Sequence, residues 1–186
     1  MKLTSEFRQD PVSGDWIVIA PGRAKRPHQL LAKLPKRKKI SAKGCPFENP
    51  EATGNKVILT YPSKHDWAVK IIENKYPAVS HGKICGLLTK RGPFAVFPGT
   101  GHHDVIIARS HDKNFVHLSS EEANLVFQSF RDRYLMLLTD PCAAYVSIFH
   151  NWGPTAGASV YHPHYQMLSI PVVPPDVNHS LRGSAR

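Results

Sequence analysis

The chain has 186 residues, 41% of them hydrophobic, and a formal net charge of +10. A single domain of this length (1–186) buries a sufficient core without disulfide or metal staples. No run of 18 apolar residues and no apolar signal core occurs, which argues against a membrane span and against secretion.

Cys45, Cys85 and Cys142 are odd in number and far apart, so no disulfide framework is expected and the simplest setting is reducing and cytoplasmic. The positive charge favours phosphorylated or polyanionic partners. It is uneven, because nine of the 24 basic residues fall between Arg23 and Lys43. No aromatic residues interleave with them as a nucleic-acid stacking platform requires, so a basic loop at about 27–56, solvated or attracting anionic substrate, is expected.

In chain order, Phe7 to Ala20 reads as two short strands around Asp10-Pro11 and Ser13-Gly14-Asp15. Pro21-Gly22 breaks the second. Residues 27 to 56 lack periodicity. Strands follow at Lys56–Thr60, Ala68–Ile72, Phe94–Phe97, Asp104–Ala108, Ala143–Phe149 and Tyr165–Val173. Ser119 and Glu122 fit a capping box, after which Ala123, Val126, Phe127, Phe130, Tyr134, Leu137 and Leu138 recur at helical spacing until Asp140-Pro141. One long helix among period-2 strands predicts an α+β fold with a mainly antiparallel sheet.

The chemistry concentrates between Asn151 and Gln166. His162, His164 and Gln166 alternate, so in an extended strand they share one face. A neutral imidazole is a competent nucleophile near pH 7. The preceding Gly157-Ala158-Ser159 loop and the Gln166 amide are donors by type for charge growing on a phosphoryl group. Gln at the third position is neither acid nor base, so the site favours transfer to another phosphate over hydrolysis. The plain alternative is a surface turn with two solvated imidazoles.

Cys45-Pro46-Phe47-Glu48 is a C-x-x-E tetrapeptide where C-x-x-C is an ordinary zinc half-site. His111 and His162 can complete four ligands of a structural zinc site. Alternatively Cys45 is a small buried hydrophobe and Glu48 a surface charge. Arg23 and Arg26, just after a strand, can both reach one phosphate or lie solvated. Asn74 can read a ribose or base edge, or serve its turn. His102-His103 points to opposite faces of a strand and reads as structural.

Together these segments resemble the galactose-1-phosphate uridylyltransferase family, a branch of the histidine-triad superfamily. The resemblance rests on Phe7 to Pro27, Cys45-Pro46-Phe47, Glu73-Asn74-Lys75-Tyr76-Pro77-Ala78, Ser110-His111-Asp112-Lys113 and Asn151 to Gln166. It implies a histidine-triad-like fold and ping-pong nucleotidyl transfer in carbohydrate (galactose) metabolism. UMP would pass between a UDP-hexose and a hexose 1-phosphate through a nucleotidyl-histidine. It also implies that His164 is the nucleophile, Gln166 steadies phosphoryl oxygens, and Ser159 contacts phosphate. Arg23 and Arg26 then belong to the phosphate region. Asn74, Phe149 and Asn151 surround the nucleoside, and His111 and His162 with Cys45 ligate structural zinc. Glu48 stands where the family often has a second cysteine. Tyr165, bulkier than the expected small residue, is expected to narrow the site. The resemblance further implies a homodimer and a second, C-terminal half that this chain does not contain. A phosphorylase of ADP-sugars or dinucleoside polyphosphates, using the same histidine, is the nearest rival; a non-catalytic nucleotide- or RNA-binding module is another.

Overall fold

The computed structural model describes residues 4–25, 39–82 and 85–184. Its centre is a five-stranded antiparallel sheet in the order β3-β4-β7-β9-β8. The strands are β3 Val57–Pro62, β4 Trp67–Glu73, β7 His102–Ala108, β8 Tyr145–Phe149 and β9 His164–Ile170. A four-stranded antiparallel sheet, β2-β1-β6-β5, comprises β1 Glu6–Gln9, β2 Trp16–Ile19, β5 Thr89–Arg91 and β6 Phe94–Pro98. Two helices, α1 Ser120–Leu137 and α2 Pro175–Ser184, complete an α+β fold of the expected class.

Local chemistry sets these elements. The β1–β2 turn forms because Asp10 Oδ1 accepts from the N–H groups of Val12 and Ser13 at 2.7 and 2.9 Å. The capping box at α1 is present: Ser119 Oγ accepts from the Glu122 N–H, and Glu122 accepts from the Ser119 N–H at 2.8 Å. Gly101, with φ +142°, immediately precedes β7; a Cβ there would lie 2.0 Å from the Ser169 carbonyl oxygen, so only glycine lets the entry to β7 press this closely against β9.

Alternation then sorts the side chains. Val69, Ile71, Ile106, Tyr165 and Met167 face α1 and pack with Val126 and Leu137. The buried Arg133 of α1 donates to Asp104 at 2.7 Å on the same side. On the opposite face Phe7, Val79, Ile170 and Val172 form a core with the small sheet. Phe47, Ile72, Val105 and Ile107 form another beneath the 39–56 segment. A cavity lined by residues from that segment and the sheet opens on this face.

Several expectations need correcting. The last strand ends at Ile170 rather than Val173, and α2 and β5 went unpredicted. Both are short and exposed, so neither carries a clear burial period. Cys85 and Cys142 form a disulfide, with Cα atoms 5.2 Å apart, leaving Cys45 as the free thiol. Their sequence separation of 57 says nothing about distance once the segment before β5 folds against the turn after α1. Arg26 and Lys36–Lys38 lie outside the described residues, whereas Lys39 pairs with Asp112 at 2.7 Å. Among the described residues, no helix is long and apolar enough to cross a membrane.

Candidate active site

β9 carries His164 and Gln166 on the cavity face, each buried to better than nine-tenths. Their cross-strand partners are Ile107 and Val105 of β7. His164 Nδ1 lies 2.8 Å from the His162 carbonyl oxygen. A carbonyl only accepts, so Nδ1 carries the proton and Nε2 the lone pair. Phe47 meets the His164 ring edge-on, centroids 5.0 Å apart, restricting its rotation.

His162 departs from the expected row of three. β9 begins after Pro163, and His162 turns away to lie fully buried beside Cys45, Glu48 and His111. Tyr165 does not narrow the site. It points to the α1 face, against Phe130 and Phe115, because adjacent residues of a strand face opposite sides. Burial there pushes its hydroxyl up to about 12.

Behind Gln166 stands His103, which reads as structural from its sequence neighbours alone. His103 Nδ1 accepts from the Ala78 N–H at 2.9 Å. A backbone N–H can only donate, so His103 Nε2 carries the proton and donates to Gln166 Oε1 at 2.9 Å. The carboxamide is thereby oriented, with its NH₂ as the end left to meet a ligand. Asn74 Oδ1 accepts from the Tyr76 N–H at 2.9 Å, and its Nδ2 sits 3.1 Å from the same ring nitrogen of His103. Opposite, Arg23 Nη1 donates to the Tyr76 carbonyl at 2.7 Å.

Arg23, Asn74, Ser159, His164 and Gln166 thus share the wall of one cavity of about 280 Å³. Lys75, Tyr76, Asn55 and Phe47 also line it; no spacing in the sequence marks them. Phe149 is paired with Gln166 on β8, but neither it nor Asn151, Gly157 or Ala158 is among the residues lining the cavity. The expected donors of the glycine-containing loop are partly consumed. The Gly157 N–H bonds Pro154 and the Ala158 N–H bonds Gly153, at 3.0 and 3.1 Å, closing a 3₁₀ turn.

Beside the cavity, Cys45, Glu48, His111 and His162 offer four donor atoms all within 4.8 Å of one another. His162 Nε2 donates to the Ala108 carbonyl at 2.6 Å and His111 Nε2 to the Ile40 carbonyl at 2.9 Å. Both rings therefore present lone-pair Nδ1 atoms to Glu48 Oε1, at 3.2 and 2.9 Å. Cys45 Sγ is 3.8 Å from His162 Nδ1. Converging lone pairs repel unless a proton or cation lies among them, and an S, O, N, N set matches tetrahedral zinc chemistry. Burial pushes the His162 imidazole below its usual range and the Cys45 thiol above its own.

The family model "Galactose-1-phosphate uridyl transferase, N-terminal domain" matches residues 1–174. An ADP-glucose phosphorylase of Arabidopsis thaliana is 31% identical over 96% of this chain and 52% of its own length. A galactose-1-phosphate uridylyltransferase of Thermotoga maritima is 25% identical over 91% of this chain and 48% of its own. A solved uridylyltransferase superposes with a TM-score of 0.67 at 25% identity, covering 97% of this chain and 50% of that one. The chain therefore spans about half the length of the relatives it matches.

Proposed function

The chain belongs to the galactose-1-phosphate uridyl transferase family, and on that premise we propose that it carries out nucleotidyl transfer from a nucleoside-diphosphate sugar through a covalent nucleotidyl-His164. The observation that carries this reading is the tautomer of His164, whose Nε2 lone pair belongs to a ring lining the cavity beside the oriented Gln166 amide.

Nε2 attacks the α-phosphorus, the P–N bond forms, and the sugar 1-phosphate leaves with the electrons of the broken P–O bond. The imidazole ring gains positive charge as this happens, and the His162 carbonyl at Nδ1 stabilises it. Charge on the non-bridging oxygens meets the Gln166 NH₂ and the Arg23 guanidinium. In the second half-reaction a phosphate acceptor attacks the same phosphorus and Nε2 leaves. Gln166 offers no proton-accepting group to activate water, so the linkage persists until an acceptor arrives.

Cys45, Glu48, His111 and His162 would hold a zinc ion. Bound there, zinc would supply a structural cross-link between the 39–56 segment and the sheet. His162 also carries the carbonyl that fixes His164, so anchoring its side chain steadies the nucleophile two residues on.

The preferred transfer is of UMP between a UDP-hexose and a hexose 1-phosphate. The 31% identity to an ADP-glucose phosphorylase supports a second reading, AMP transfer from an ADP-sugar to inorganic phosphate. The cavity of about 280 Å³ lies just below the range of ligand pockets, roughly 300–1,000 Å³. The sugar and acceptor end is completed by further protein, a C-terminal half or a second copy of this chain. Incubation with UDP-glucose or ADP-glucose separately, followed by intact mass, tests the proposal and separates the bases. A UMP or AMP adduct that vanishes in His164→Asn is expected. An adduct that survives in His164→Asn, or no adduct from either donor on folded protein, overturns it.

A further inference from the structure

A second set of metal-ligating side chains converges away from the cavity. His102, at the start of β7, projects to the face opposite His103. Its Nε2 lies 2.8 Å from Asp140 Oδ2, in the turn after α1. His81 Nδ1 lies 3.3 Å from the same oxygen. The two imidazoles stack at 4.4 Å with 24° between their planes, and the three candidate donor atoms all lie within 4.8 Å of one another.

The carboxylate is built to be presented. Asp140 Oδ1 accepts from the Cys142 N–H at 2.9 Å, which turns Oδ2 toward the rings. Cys142 is also disulfide-bonded to Cys85, four residues after His81, so a covalent tie joins the segments bearing His81 and Asp140. An ordinary His–Asp hydrogen bond needs one imidazole. Two stacked imidazoles directed at one carboxylate oxygen match a shared cation better.

We propose that His81, His102 and Asp140 form a second divalent-metal site, distinct from the cysteine-containing set and on the other face of β7. Two imidazoles and one carboxylate suit zinc and its neighbours, cobalt, nickel and copper, and are too poor in oxygen for calcium or magnesium. Three protein ligands leave a further coordination position for water or an incoming ligand, a position kept accessible by the half-exposed His81 (54% of its side chain). An ion there would fasten the start of β7, immediately before the residue that orients Gln166.

The test equilibrates the 186-residue chain with zinc at buffered low free concentration and counts bound metal, comparing wild type with His102→Ala and His81→Ala. Both variants leave Cys45, Glu48, His111 and His162 intact, so the difference counts this site alone whatever the other set binds. His81 is exposed, so its replacement leaves the core in place should His102→Ala fold poorly. The expected result is one equivalent fewer in folded protein for each variant. Unchanged metal content and affinity in His81→Ala, or no difference between wild type and either folded variant, overturns the proposal.

Discussion

Along β9, Tyr165 and Met167 face α1 while His164 and Gln166 face the cavity, and the two sides treat polarity differently. On the α1 side aromatic and aliphatic groups close against the helix, and the buried charge of Asp104 meets the guanidinium of Arg133. On the cavity side the polar groups are held in place by hydrogen bonds to the protein while they line the cavity. His164 spends Nδ1 on a carbonyl, Gln166 spends Oε1 on His103, and Asn74 spends Oδ1 on a backbone N–H. The same alternating strand thus gives a face closed by apolar packing and one buried ion pair, and a face whose polar groups line the cavity.

The contrast is broken most severely on the closed face. Arg133→Met strips the partner from buried Asp104 and is expected to cost about 3–5 kcal/mol of stability, read by denaturant unfolding. Replacing both, Arg133→Met with Asp104→Leu, restores most of that loss. A double variant as unstable as the single would show that the ion pair is not what holds α1 to the sheet at this point.

On the open face, His103→Leu frees the Gln166 carboxamide to rotate. Adduct formation is expected to slow by about 10²-fold, the scale for losing one pre-placed donor, with His103→Gln recovering part of the rate. Equal loss in both, tracking thermal stability, would make His103 merely a packing residue.

Acidification sharpens the comparison at the cluster beside the cavity. The folded His162 imidazole titrates below its ordinary value of 6.5 because of burial, so between those two values the unfolded chain binds the extra proton. Stability of the metal-free protein is therefore full above about 6.5 and falls as pH drops below it, by at most about 1.4 kcal/mol per pH unit. A flat profile from pH 7 to 5 contradicts this. The smallest effect belongs to the α1 cap: Ser119→Ala is expected to remove about 1 kcal/mol without altering adduct formation.

Much of this was legible in the sequence. The capping box, the Asp10 turn and period-2 alternation located most strands and α1, because each depends on neighbours in the chain. His164, Gln166, Asn74, Ser159 and Arg23 do meet at one cavity, and Cys45, Glu48, His111 and His162 do converge. What escaped depended on contacts between distant segments. His103 acquires its role only when Ala78 and Gln166 arrive on either side of its ring. The Cys85–Cys142 pair and the His81–His102–Asp140 cluster need α1 to deliver the 140–142 turn to the start of β7. At Gly157 and Ala158 the difference from expectation is local: a 3₁₀ turn uses N–H groups that the sequence offers to a phosphate.

Nucleophilic attack by His164 depends on which of its ring nitrogens carries the proton. Long-range ¹⁵N–¹H correlation spectra of histidine-labelled protein near neutral pH read this directly, with His164→Asn assigning the signal. Nδ1 protonated and Nε2 bare is the predicted pattern; a proton on Nε2 with Nδ1 bare would contradict it, since the nitrogen required for attack would then have no lone pair to give.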